Sequence, residues 1–409
     1  MRLSVLFTAL AIFLISASAF AADTLKDAFG NGTLKGEIRN FYFARDFDEN
    51  TPDRADMAVG TLFYYKTAPL YGISAGFAFA SSSDIYSDDD KAVYGLLQRD
   101  SDGKHESYTR LQEYYIQGEW FNTRVKYGAQ EINTPFMNTH DIRMMPKSYE
   151  GLSIVNSSIK NLELSAYYIT GYMGWTDDEA MDIVKSVNVG ADDDKALIVG
   201  GAKYTLPVEA AKITVQGWHY DMEDVFGSNY VQLSASKKLG DYNLYFNPSA
   251  LFQKSKGDDL GGEFDTDQFG FNTGFAAYGF DVTGFYAKTG DDDLFVPWGD
   301  GKVIIQQVLA AGRAEEDAYA LKVGYDFSKI GVKGLSAYAF HTVYDTPESG
   351  SGASADMSET DLSAQYNFGG AFDGLSLRLR YAMIDVDGGE DYNDFRVYLR
   401  YNFALGGKK

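Results

Sequence analysis

Arg378 and Arg380, and again Arg396 and Arg400, stand an even number of residues apart. So do Lys35, Glu37, Arg39 and Arg45 near the start, and Arg124, Lys126 and Gln130 further on. Even spacing puts side chains on one face of an extended strand, so these rows read as charged groups sharing a wall. Guanidinium suits carboxylate recognition, because its planar fork binds both oxygens and stays charged. The plainer role for these cations is ion pairing with Glu37, Glu113 and Glu119. Covalent and acid–base chemistry is poorly provided for. With no Cys there is no disulfide, thiolate nucleophile or thiolate metal site. His105, His140, His219 and His341 are scattered, without metal-ligand spacing. His140, beside Asp141, has a neighbour suited to proton sensing. These residues predict no enzyme, no cofactor and no resident metal.

Rows of this kind need strands, and the sequence alternates accordingly. Leu377, Leu379, Tyr381 and Met383 interleave with Arg378, Arg380 and Ala382. Phe395, Val397, Leu399, Tyr401 and Phe403 interleave with Arg396, Tyr398, Arg400 and Asn402. Each such strand has an apolar and a polar face. Similar segments fall near 33–45, 54–67, 72–81, 107–120, 122–131, 148–156, 160–170, 195–206 and 212–222. Others fall near 228–239, 242–254, 264–277, 279–289, 315–328, 333–344, 358–369, 373–386 and 390–403, which makes eighteen. Short connections such as Phe121-Asn122 alternate with long polar ones. A soluble sandwich shares the alternation, but this asymmetry belongs to outer-membrane barrels, whose periplasmic turns are short and external loops long. The fold class is therefore all-β, an antiparallel transmembrane β-barrel.

Composition narrows the classes further. The 409 residues carry 58 acidic and 36 basic side chains, a formal charge of −22. That balance argues against nucleic-acid partners, which require phosphate neutralisation. An apolar share of 45% argues against disorder. Met1-Arg2, an apolar run over 3–15 and Ala19-Phe20-Ala21 have the form of a secretory leader. No later stretch approaches the ~20 apolar residues of a membrane helix. The expected organisation is a leader over 1–21, a short periplasmic segment over 22–32, a barrel over 33–403 and a tail over 404–409.

Two stretches, 34–47 (LKGEIRNFYFARDF) and 126–135 (KYGAQEINTP) with its continuation 143–151 (RMMPKSYEG), resemble the OprD-type family of outer-membrane porins. The resemblance implies passive diffusion of small hydrophilic solutes, often carboxylate-bearing nutrients such as amino acids or small organic acids. It implies monomers or homotrimers in the lipid and lipopolysaccharide of a Gram-negative outer membrane. It further implies a third external loop, 132–147, folded inward to narrow the lumen, with Glu131, Asn133, Asn138, Asp141 and Arg143 at the constriction. Pro135 and Pro146 suit irregular backbone, which membrane proteins tolerate only when it is enclosed by protein or lines a water-filled cavity. Closure would bring strand eighteen beside strand one, so that Lys35, Arg39, Arg45, Arg378, Arg380, Arg396 and Arg400 form one basic stripe resembling the family's arginine ladder. A structural or adhesin-type barrel is the alternative, although eighteen strands leave an aqueous interior.

Acidic runs at Asp88–Asp90, Asp192–Asp194 and Asp291–Asp293 read as solvated external loops. Asp385, Asp387 and Asp391 offer the oxygen ligands calcium prefers, but not the EF-hand spacing. Apolar spacing predicts short helices over 176–187 and 303–311.

Overall fold

The computed structural model describes residues 22–188, 190, 191 and 195–406; the expected leader and the last three residues lie outside them. A six-residue helix, α1 (Leu25–Gly30), is capped by the Thr24 side chain, which accepts from Asp27 N–H. Antiparallel strands follow: β1 (Thr33–Phe47), β2 (Arg54–Lys66), β3 (Ile73–Asp84), β4 (Tyr108–Trp120), β5 (Thr123–Gln130) and β6 (Ser148–Asn156). Next come β7 (Leu162–Met173), β8 (Leu197–Thr205), β9 (Lys212–Met222), β10 (Phe226–Leu239), β11 (Tyr242–Ser255) and β12 (Asp265–Ala277). The last are β13 (Phe280–Thr289), β14 (Asp317–Asp326), β15 (Leu335–Asp345), β16 (Met357–Asn367), β17 (Leu375–Val386) and β18 (Tyr392–Gly406). Each pairs with its chain neighbours, and β18 pairs with β1 from Thr33↔Gly406 to Phe47↔Tyr392. All eighteen expected strands are therefore present, in one closed antiparallel barrel.

Local chemistry sets this path. Phe121 and Asn122 join β4 to β5 with φ of 50° and 55°, and Tyr278 and Gly279 join β12 to β13 with 55° and 93°. Paired left-handed residues give the two-residue turn whose twist matches the flanking strands. Outward side chains such as Ile38, Tyr42, Tyr319, Leu321, Leu379 and Leu399 are exposed and form the lipid-facing band. Inward Arg39, Phe41, Phe43 and Arg396 are buried instead, because the long connections pack on them. Leu96, Leu97, Met144 and Met145 cluster with Phe41, Phe43 and Leu62. Phe136, Met137 and Trp298 cluster with Tyr149, Tyr220 and Tyr230. Met144 approaches β2 at Gly60, where an added Cβ would lie 2.8 Å from its sulfur and 2.4 Å from the Ser81 carbonyl.

Three local expectations change. β18 continues past Phe403 to Gly406, because Ala404, Leu405 and Gly406 still face Lys35, Leu34 and Thr33. Only Ile183–Ser186 of the segment 176–187 is helical, as a 3-10 turn. The helix expected over 303–311 is absent; Ile305 and Ala310 form an isolated bridge across a tight reversal. Its tip N–H groups bond to side chains of the wall rather than to their own turn.

Candidate functional site

The register places Arg380 opposite Arg396 and Arg400 opposite Arg39. Like charges facing one another across a ladder repel unless carboxylates intervene, and here they do. Asp394 accepts from Arg396 Nε at 2.6 Å and from Arg45 Nε at 2.9 Å. Asp361 lies 3.5 Å from Arg380 Nη2. Arg39 holds Glu37 through Nε and Nη2, both at 2.9 Å, and Asp141 through Nη1 and Nη2 at 2.7 and 3.0 Å. It also donates to the carbonyls of Arg143 and Met144, at 3.1 and 2.8 Å. Arg400 joins the same group, 3.1 Å from Asp141 and 3.4 Å from Glu37. Of the acids first expected as partners, only Glu37 serves an arginine: Glu113 accepts from Glu131 N–H and Glu119 from Gln117.

Segment 131–147 touches widely separated strands. Its Asp141 meets β1 and β18, while Phe136 packs on Tyr220 of β9 and Tyr230 of β10 at ring separations of 6.0 and 5.2 Å. Arg143 lies over the rings of Phe43, Tyr94 and Trp175, 5.1 to 5.4 Å from their centres. Burial, with Arg396 nearby, pulls its guanidinium down to about 9. Asn133 accepts from Thr139 Oγ1 at 3.2 Å, and Asn138 donates to the Pro135 carbonyl at 3.2 Å, so both amides brace the segment. A bulge opposite Ala78 and Phe79 turns Gln112 and Glu113 to the same side. There Glu131 accepts from Tyr64 Oη at 2.6 Å and Gln112 Nε2 at 3.2 Å, and burial beside Glu113 raises its carboxyl to about 7. His140 is held down to about 4 by burial and by Lys147 and Arg143, which leaves it neutral at physiological pH.

The reversal at 303–311 adds acceptors that the sequence reading passed over. Glu359 accepts from Val308 and Leu309 N–H at 3.0 and 2.6 Å, and Asp361 from Gln307 N–H at 3.1 Å. Gln307 Nε2 continues to Asp394 at 2.6 Å. Their signal was available: Asp394 shares the even-numbered polar face of β18 with Arg396 and Arg400, and Asp361 shares the odd-numbered polar face of β16 with Glu359 and Ser363.

The other predicted residues lie apart. Arg378 bonds to Ser363 Oγ and Tyr338 Oη, both at 3.2 Å. Gln130 bridges Gly151 O and Ser153 Oγ. Lys35 and Arg124 are exposed, and Lys126 sits 3.9 Å above the Tyr115 ring. One nucleophile-type match escaped the sequence reading: Gly72, Ser74 and Gly76 have Gly-x-Ser-x-Gly spacing. Ser74 is in the wall strand β3, whereas the histidines bond elsewhere, to Ala55 O and Asp56, Asn229 and Thr360, or stack on Trp175. Asp385 and Asp391 accept from Ser358 and Val386, and no metal-type group of three such side chains occurs among the described residues.

A closed eighteen-strand barrel with an apolar exterior and a charged interior defines an outer-membrane channel. The chain belongs to the OprD family of outer membrane porins, whose model matches residues 27–405. It is 24% identical over 435 residues to Porin D of Pseudomonas aeruginosa, covering 95% of each chain. It is 22% identical to the porin-like protein GalP of Pseudomonas putida, over 82% of this chain and 83% of that one. Among solved structures it resembles Pseudomonas aeruginosa OpdK with vanillate, with a TM-score of 0.83, 19% identity, and 92% of this chain and 100% of that one covered. A BenF-like porin from Pseudomonas fluorescens Pf-5 is similar, with a TM-score of 0.82, 17% identity and the same coverage. The protein is thus a Gram-negative outer-membrane channel for small solutes.

Proposed function

We propose that this channel favours carboxylate-bearing solutes, such as amino acids or small organic acids, and that it performs no catalysis. Segment 131–147 and the reversal at 303–311 narrow the lumen, and Arg39, Arg380, Arg396 and Arg400 line one side of that narrowing. The observation that carries the reading is the pairing of guanidinium with carboxylate along this wall, Arg396 with Asp394, Arg380 with Asp361, and Arg400 and Arg39 with Asp141. A solute carboxylate can exchange with the protein's own carboxylates along such a row, so guidance requires no empty, unpaired cation. The vanillate bound by the similar OpdK is itself a carboxylate.

Liposome swelling tests this directly. Arg380→Gln with Arg400→Gln should slow carboxylate uptake about ten-fold more than neutral sugar uptake, the loss of two charge-assisted contacts. Equal slowing of both would reduce the arginines to wall braces. Stepwise conductance in planar bilayers separates this reading from a closed structural barrel, which shows none.

A further inference from the structure

The arginines of β17, β18 and β1 are mostly neutralised where they stand, but three cations on a distant part of the wall are not. Arg124 and Lys126 on β5 and Lys203 on β8 form no ion pair among the described residues. The register joins their strands into one surface: Lys126 faces Ser153, Ser153 faces Tyr167, and Lys203 faces Gln216. With residues of the 131–138 segment these side chains enclose a cavity of about 610 Å³. Two acids border it. Glu163 stands opposite Lys203, and Glu131 turns its carboxyl to Tyr64 and Gln112.

The cavity also contains a flat apolar platform. Trp218 of β9 lies against β8 at Gly201, where any Cβ would stand 2.2 Å from the indole ring. Its Nε1–H is satisfied by Gln216 Oε1 at 3.0 Å, so what the indole has left to offer a solute is its face. A ring face beside three unpaired cations and the Ser153 and Ser165 hydroxyls suits a solute with a planar ring and a carboxylate. Arg124 is two residues from the short Phe121-Asn122 turn, and Lys203 is two from the end of β8, so the cavity lies in the periplasmic half.

We propose that Arg124, Lys126, Lys203 and Trp218 form a second solute subsite, selective for ring-bearing carboxylates leaving the narrowing for the periplasm. The inference rests on the function proposed above, which supplies it with carboxylates. Single-channel recordings in KCl with added benzoate or acetate test it through the concentration that halves the current. Benzoate should block wild type at a several-fold lower concentration than acetate. Arg124→Gln with Lys203→Gln should raise the benzoate value about five-fold, whereas Arg124→Lys with Lys203→Arg, which keeps both charges, should stay near wild type. Trp218→Ala should erase the difference between benzoate and acetate. Gly201→Val, which pushes the indole off β8 with all three cations kept, should do the same. Equal block of wild type by both anions, or benzoate block unchanged in the variants that remove charge or disturb the indole, overturns the subsite. Benzoate block lost only in Arg380→Gln with Arg400→Gln also overturns it, yet leaves the carboxylate preference standing. If swelling shows no carboxylate preference in wild type, the broader reading fails on its own measurement.

Discussion

Asp394 shows how much one inner-wall acid has to balance. It is fully buried and serves Arg396, Arg45 and Gln307 at once. Asp394→Ala leaves two guanidinium groups without their counter-charge, one of them fully buried, and should cost about 3–5 kcal/mol. Urea unfolding of the barrel in detergent measures this, and a midpoint equal to wild type would show that water replaces the acid. Glu131 makes a pH prediction. Its carboxyl is raised from 4.5 to about 7 by burial and Glu113, so the folded barrel keeps a proton that the unfolded chain releases. No stability is lost below about 4.5; it falls as pH rises from there through 7, by about 3 kcal/mol at pH 8. Glu131→Gln, which cannot ionise, should match wild type at pH 4 and exceed it at pH 8. A variant no more stable at pH 8 would place Glu131 in contact with water.

Two connections, not the strands, would set the size of the opening. Segment 131–147 is tied at Asp141 to β1 and β18 and at Phe136 to β9 and β10. Deleting 133–143 should raise single-channel conductance several-fold; unchanged conductance and solute cut-off would mean that this segment does not limit passage. The reversal at 303–311 depends on Glu359, which takes two of its N–H groups. Glu359→Ala frees those donors, and open-channel current noise should increase while the barrel itself remains closed by the β1–β18 ladder.

The whole molecule sets two electrostatic effects against each other. Its net charge of −22 is concentrated partly in acidic connections, which should enrich cations at the mouth. Exposed charge is screened over about 10 Å at 0.1 M salt and about 3 Å at 1 M. Reversal potentials should therefore show a weak cation preference at 0.1 M KCl that nearly vanishes at 1 M. Arg380→Gln with Arg400→Gln should strengthen it, because two inner cations are removed. A preference that persists at 1 M would locate its source in the narrow lumen rather than at the mouth.

Period-two alternation determined every strand, the face of most residues and the rows of Arg378 with Arg380 and Arg396 with Arg400, because strand geometry is local; the bulge that turns Gln112 and Glu113 to one side broke it. Two-residue turns such as Phe121-Asn122 were legible for the same reason. The partners of those arginines were not. Arg39 meets Asp141 across 102 positions, and Gln307 meets Asp394 across 87. Such pairs exist only once β18 has closed on β1 and the long connections have packed against the inner wall. The apolar spacing over 303–311 suggested a helix, but its N–H groups found Glu359 and Asp361 instead, acceptors that only the closed barrel presents to them. Likewise His140 stands beside Asp141 in sequence, yet packing places Lys147 and Arg143 around its ring and holds it neutral. Charge rows follow from local periodicity; which charges neutralise one another depends on distances that only closure of the barrel creates.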